Sequence, residues 1–234
     1  MKLFYSSSKI KKSIAFTAFC LSCALNLFSQ GLVPATDFFK DISTYYGSLK
    51  DYEADADIKM GNTEMKAHII YLQPDKMRMD FSNPPNQTIV FNGQTLTVYL
   101  PDSAAVLTQN ASGTDTDSAA TIATAEGLSL LRRYYSISYE IGQEPVPLTE
   151  GSDEMVVKLV LWRRNTSEEF RYIKIAVDPE TKLIRRIEAV TASTGVTYIF
   201  EFSNYETNQG ITEQRFVFDM PPAANIYDNF LFAE

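Results

Sequence analysis

The sequence predicts a mainly β protein (α+β): one long antiparallel sheet of about ten strands with helical material at two places. Three observations carry this. Apolar and polar residues alternate with period two over much of the chain from Tyr52 onward, turn-forming residues punctuate those runs, and only two segments show a helical period. A composition of 45% hydrophobic, 12% aromatic and 21% charged residues, with 10 Gly and 10 Pro, fits a folded globular chain rather than a disordered polyampholyte or a fibre. No internal repeat or linker divides it.

The first thirty residues read as a secretory signal peptide. Lys2, Lys9, Lys11 and Lys12 form a basic start, Ile14 to Phe28 is an apolar stretch, and Ser29-Gln30-Gly31 follows, with cleavage expected near Ser29 or Gln30. The apolar stretch is shorter than the roughly 20 residues of a membrane span. Removing residues 1–30 leaves 17 basic against 29 acidic residues, a charge of -12, and takes away both cysteines, Cys20 and Cys23. Residues 31–234 are then expected to be a single cysteine-free domain in the periplasm, with no disulfide and no thiol chemistry. Leu21-Ser22-Cys23 also resembles a lipobox, in which Cys23 would be acylated. The apolar run continues past Cys23 through Leu25, Leu27 and Phe28, as the interior of a signal peptide would.

The clearest helix spans Asp37 to Tyr46. Phe38, Phe39, Ile42, Tyr45, Tyr46 and Leu49 fall on one face, with Thr36 as the expected N-cap and Gly47 as the expected left-handed residue after the last turn. Four aromatics on so short a helix need an apolar surface to lie on. Strands follow. Tyr52, Ala54, Ala56, Ile58 and Met60 alternate with Asp51, Glu53, Asp55, Asp57 and Lys59. The same pattern holds for Met77, Met79 and Phe81, for Leu96, Val98 and Leu100, and for Tyr198, Phe200 and Phe202. Turns are expected at Pro74-Asp75, Asn83-Pro84-Pro85, Asn92-Gly93, Asp178-Pro179-Glu180 and Asn208-Gln209-Gly210. Gln109 to Ala120 reads as a polar, low-complexity loop, and Ile122 to Tyr135 as a second helical region carrying Leu128, Leu130 and Leu131.

Composition excludes much chemistry. A formal charge of -8 gives no basic surface for nucleic acid. One His and two Cys leave little for a transition-metal site or a His-dependent triad, and no Gly-x-Ser-x-Gly elbow or Gly-rich phosphate loop is present. The run Asp51 to Asp57 is no EF-hand loop, because its sixth and twelfth positions hold Ala56 and Asn62; it reads as a strand with a solvated acidic face. His68 reads as a surface or partly buried strand residue with no ligand-spaced neighbour. Arg163-Arg164 and Arg185-Arg186 read as solvated doublets. No metal or cofactor is expected.

The apolar inventory is large: Phe38, Phe39, Tyr45, Met77, Met79, Phe81, Phe91, Leu96, Val98, Trp162, Phe200, Phe202, Phe216 and Phe218, with Leu128 to Tyr135. Two short helices cannot cover one flat apolar face of a ten-stranded sheet, so the sheet must curl. It could close as a filled sandwich or barrel, or stay a half-barrel whose apolar concave face the helices roof.

Tyr71-Leu72-Gln73-Pro74-Asp75-Lys76-Met77-Arg78-Met79-Asp80-Phe81, then Gln87-Thr88-Ile89-Val90-Phe91-Asn92-Gly93-Gln94-Thr95-Leu96-Thr97-Val98-Tyr99, resembles the LolA family of periplasmic lipoprotein carriers. Val177-Asp178-Pro179-Glu180-Thr181-Lys182-Leu183-Ile184 and Phe216-Val217-Phe218-Asp219-Met220-Pro221-Pro222 resemble later segments of that family. The likeness runs from about Ala35 to Tyr227. It implies an unclosed antiparallel β-barrel, a strongly curved half-barrel, with a helical lid over a hydrophobic cavity. It further implies a non-enzymatic, monomeric carrier that takes acylated lipoproteins or lipids from an inner-membrane lipoprotein-releasing ABC transporter to an outer-membrane acceptor. In that reading Phe38, Phe39, Ile42, Tyr45, Tyr46, Leu128 and Leu131 form the lid. Met77, Met79, Phe81, Ile89, Phe91, Leu96, Val98, Phe200 and Phe202 line the cavity. Where enterobacterial members carry an Arg that helps hold the lid shut, this chain has Gln73; Met79 stands in an aromatic position, and the polar insert is longer. Two other readings use the same residues: a membrane-anchored acceptor or sensor like LolB and RseB, acylated on Cys23, and an exported hydrolase with a carboxylate pair.

Overall fold

The computed structural model describes residues 31–110 and 123–230; the signal segment and most of the polar insert lie outside them. Among the described residues are two α-helices, α1 (Ala35–Ser48) and α2 (Ala125–Tyr134). The strands are β1 (Asp51–Met60), β2 (Thr63–Leu72), β3 (Lys76–Asn83), β4 (Thr88–Phe91), β5 (Thr95–Leu100), β6 (Ala105–Asn110), β7 (Tyr135–Tyr139), β8 (Val146–Pro147), β9 (Met155–Arg163), β10 (Phe170–Val177), β11 (Ile184–Thr191), β12 (Thr197–Thr207) and β13 (Asn225–Asp228). They form one sheet in the order β13-β6-β5-β4-β3-β2-β1-β12-β11-β10-β9-β7, with β8 also on β9. The end strands β13 and β7 do not pair with each other, so the curved sheet is an unclosed barrel.

Curvature has a local cause. The register slips between Glu53 and Asp55, Lys66 and Ala67, Phe170 and Tyr172, and Ala176 and Val177. Each such bulge bends and twists the strand that carries it. Thirteen strands replace the expected ten because β4, β8 and β13 are only four, two and four residues long, too short for alternation to mark them. One pairing breaks the antiparallel rule: β13 lies parallel to β6, from Asn225 opposite Ala105 to Asp228 opposite Thr108.

The helix ends differ from expectation. α1 starts at Ala35, with the Pro34 carbonyl accepting from the amides of Asp37 and Phe38, and Thr36 lies inside the first turn. Pro suits that place because it gives up no needed donor. Gly47 is helical, and the chain leaves through Leu49 in extended conformation rather than through a left-handed residue. The turns form where expected. Asn92 Oδ1 accepts from the amides of Gln94 and Thr95, at 3.0 and 2.9 Å, around Gly93 at φ 94°. Gln109 and Asn110 belong to β6 rather than to the loop.

The two faces of the sheet divide the apolar residues. The main core lies on the concave face, under α1 and α2. Phe216 instead packs against Ile70 and Val90 in a separate cluster, with Phe218 beside it, and Trp162 is 49% exposed against Tyr172. These three therefore leave the expected dry set. The reason is the C-terminal segment, which returns across the outer face: Arg78 Nη1 donates to the carbonyls of Arg215 and Val217, and Lys76 pairs with Glu213 at 2.7 Å. Asp51 secures the start of that return. Although it opens an acidic run, it is only 2% exposed, and its carboxylate accepts from the amides of Gln209, Gly210 and Ile211 at 2.7, 3.1 and 3.4 Å.

Removing that carboxylate orphans three amides at once. Asp51→Ala is expected to lower unfolding stability by about 3 kcal/mol, read as a drop in urea midpoint at unchanged slope.

Candidate functional site: an apolar hollow under a helical lid

α1 presents its aromatic face to the sheet because Phe39, Ile42 and Tyr46 recur at helical spacing. Phe39 and Ile42 are fully buried and Tyr46 is 2% exposed. Burial of each such side chain is worth about 1.5–3 kcal/mol. Phe38 and Tyr45 sit partly buried at the edges, Phe38 with its ring 6.2 Å from Tyr139 and 5.0 Å from Lys182 Nζ. α2 adds Leu128 and Leu131. Its N-terminus is capped by Thr124, whose hydroxyl accepts from the Gly127 amide at 3.0 Å, and Arg132 and Arg133 complement its C-terminal dipole.

Beneath the helices a hollow is lined by Tyr52, Ile69, Met77, Met79, Ala123, Ile187, Phe200 and Phe202. Its volume is about 10 Å³, room for no more than a single water. Four of the expected lining residues meet there: Met77, Met79, Phe200 and Phe202. Phe81 and Ile89 pack in or against the same core. Phe91, Leu96 and Val98 stay half-buried further along the face: Phe91 is opposite Met77 and Leu96, and Val98 is opposite Ile89. Sequence reasoning missed Tyr52, Ile69 and Ile187 as lining. Tyr52 and Ile69 share one row of the β1–β2 alternation, which was the available signal; Ile187 is brought in from β11 only by the curl.

One end of the hollow is aromatic and polar together. Tyr52 stands 5.1 Å from Tyr71, 5.8 Å from Tyr205 and edge-on to Tyr46 at 6.2 Å between ring centroids. Each hydroxyl has a partner: Tyr52 Oη donates to the Ala123 carbonyl at 3.1 Å and Tyr71 Oη to the Pro74 carbonyl at 2.8 Å. Tyr46 Oη accepts from the Ile184 amide at 3.0 Å, and Tyr205 Oη donates to the Ile184 carbonyl at 2.9 Å. Burial pushes the Tyr46 and Tyr71 phenols up to about 12, and those of Tyr52 and Tyr205 well above their ordinary value. All four stay neutral across physiological pH. Gln73 donates from Nε2 to the Gly47 carbonyl at 3.4 Å, in the last turn of α1.

The outer face carries the charges. His68 lies between Glu53, 2.7 Å from Nε2, and Asp55, 2.9 Å from Nδ1, neighbours supplied by β1 across the β1–β2 pairing. Glu53 also meets Arg215 at 3.3 Å, and Asp57 meets Lys66 at 2.8 Å. The acidic row is thus paired rather than merely solvated. The Arg doublets are engaged as well: Arg163 and Arg164 donate to carbonyls, Arg185 pairs with Glu154, and Arg186 with Glu201 at 2.9 Å. Among the described residues no cluster of His, Cys, Asp and Glu is arranged to hold a metal ion, and no helix is long and apolar enough to cross a membrane.

The family model of outer membrane lipoprotein carrier protein LolA matches residues 62–219, more than half of the chain. An uncharacterized conserved protein from Thermus thermophilus is similar in structure, with a TM-score of 0.51 and 15% identity over 81% of this chain and 96% of that one. A chain of the Pseudomonas aeruginosa MucA/MucB complex is similar with a TM-score of 0.50 and 13% identity, over 82% of this chain and 63% of that one. At such identities the likeness is one of fold. No curated protein sequence matches the chain.

Burial alone would lower the His68 pKa, but hydrogen bonds to Asp55 and Glu53 outweigh it and the net direction is up. A raised folded pKa means that this contribution to stability is complete below about pH 6.5, the unfolded value, and is lost as pH rises through the folded one. An NMR titration is expected to place the imidazole above its ordinary value. His68→Gln is expected to abolish the corresponding fall in stability on the alkaline side; an unchanged pH profile would contradict the assignment.

Proposed function

Because the chain belongs to the LolA family, we propose that it is a periplasmic carrier that covers the acyl chains of lipoproteins or lipids in the hollow beneath α1. In this reading it receives cargo from an inner-membrane lipoprotein-releasing ABC transporter and delivers it to an outer-membrane acceptor. The observation that supports this best is the way α1 fills the concave face with its own aromatics and leaves only about 10 Å³. The face is apolar over a wide area, and helices, not the sheet itself, cover it. The site's chemistry is burial and release rather than bond making.

Each methylene exposed to water costs about 0.8 kcal/mol, so an acylated N-terminus cannot cross an aqueous space bare. A carrier offers it apolar surface, and here that surface is already occupied by Phe39, Ile42 and Tyr46. Cargo must lift the lid to enter. The lid therefore competes with cargo, and affinity is the difference between the two. Met77 and Met79 on the floor suit chains of varied shape, since thioethers repack at low cost. The negative exterior opposes adsorption to anionic membranes between deliveries.

A second reading, an anchored lipid or lipoprotein acceptor or sensor, fits the same fold, which the MucA/MucB chain shares. Radioactive palmitate incorporated at Cys23 would support it over the soluble carrier.

Mass spectrometry of a lipid extract from the purified protein is expected to show bound acyl lipids. Competition by the lid also sets a sign. Phe39→Ala weakens the closed state by about 3 kcal/mol, so a palmitoylated peptide is expected to bind more tightly, by up to about 100-fold. Calorimetry showing weaker or unchanged binding by a folded variant would refute the competing lid.

A further inference from the structure

The two phenols at Ile184 differ in one respect. Tyr205 belongs to β12 and stays with the sheet, whereas Tyr46 belongs to α1. Tyr205 Oη holds the Ile184 carbonyl and Tyr46 Oη receives the Ile184 amide. Ile184 itself is fully buried. It sits at the register shift of β10 and β11, where Val177 is opposite Ile184 and Ala176 opposite Arg186, with Arg185 as the extra residue. At that shift the Ile184 N–H donates to Tyr46 Oη of α1. If α1 lifts to admit cargo, the carbonyl keeps its donor while the amide loses its acceptor inside an apolar site. A hydrocarbon chain offers no replacement.

We propose that the place of the Tyr46 hydroxyl oxygen, at the Ile184 N–H, is the seat of an acyl carbonyl oxygen in the loaded protein. An ester-linked or amide-linked chain entering the hollow brings one carbonyl at its head, a neutral acceptor of the kind the phenol supplies in the empty state. The hollow thus selects acyl chains over alkyl chains, and Tyr46 acts as a stand-in for the cargo's carbonyl. This rests on the carrier reading above.

The test compares two lipids that differ in one carbonyl: 1-palmitoyl lysophosphatidylcholine and its 1-hexadecyl ether analogue, titrated below their micellar concentrations by calorimetry. The ester is expected to bind about tenfold more tightly, the effect of one orphaned buried donor, with the Ile184 amide proton remaining at a hydrogen-bonded chemical shift only with the ester. Tyr46→Phe is expected to tighten both lipids by a common factor and leave their ratio unchanged, because it alters only the closed state that both must open. Equal binding of the two lipids overturns the carbonyl seat while leaving the carrier reading intact. Binding of neither overturns both. The same comparison between palmitoyl-amide and hexadecyl-ether forms of one short peptide is expected to give the same order if an amide-linked chain uses the seat; an amide equal to its ether confines the seat to esters.

Discussion

The packing of α1 onto the concave face governs the rest of the structure. A sheet bent by bulges and apolar along its inner rows cannot stand bare in water, and the helix covers what the open barrel leaves exposed. Three nearly or fully buried side chains at about 1.5–3 kcal/mol each give the lid roughly 5–9 kcal/mol, comparable with the whole stability of an ordinary domain. A sixteen-carbon chain at about 0.8 kcal/mol per methylene carries roughly 12 kcal/mol. The chain exceeds the lid by roughly 3–7 kcal/mol, so in the proposed carrier cargo would displace α1 with a net gain. A much stronger lid would exclude cargo; a much weaker one would leave the empty protein open to aggregation.

The outer face supports this arrangement without competing in it. Paired charges such as Asp57 with Lys66 and Glu201 with Arg186 add little stability individually. Their cross-strand positions do oppose a one-residue slip, which would turn the inner row of aromatics outward. The C-terminal segment covers Ile70 and Val90 with Phe216 and ends as β13 against β6. That cover leaves the concave side as the face closed by helices alone.

Much of this was legible in the sequence, and for identifiable reasons. The aromatic spacing of α1, the alternation of β1, β3 and β12, and the Asn92-Gly93 turn are local signals, and each formed where it was read. What was not legible depends on contacts between distant segments. Alternation shows that a strand has two faces but not which face is inner when both carry apolar residues, so Phe216, Phe218 and Trp162 were grouped with the concave set. The hollow joins Met77 to Ile187, and a hydrogen bond from the sheet to α1 joins Ile184 to Tyr46. The curl that brings them together arises at bulges that leave no mark in hydrophobic period.

The fastening of the lid follows a different chemistry from that of relatives with an arginine at the position of Gln73. Here the amide of Gln73 makes one long hydrogen bond to the end of α1, and the buried contact is a phenol meeting a backbone amide. A cationic latch would be screened by salt and would have to be desolvated each time the lid closed. A neutral phenol, kept neutral by burial that raises Tyr46 to about 12, is not screened by salt and costs far less to desolvate than a cation. In the proposed carrier, opening would break this hydrogen bond, and an incoming neutral acceptor would restore it. On that proposal, the hold on the lid would be set by the chemistry of whatever replaces it.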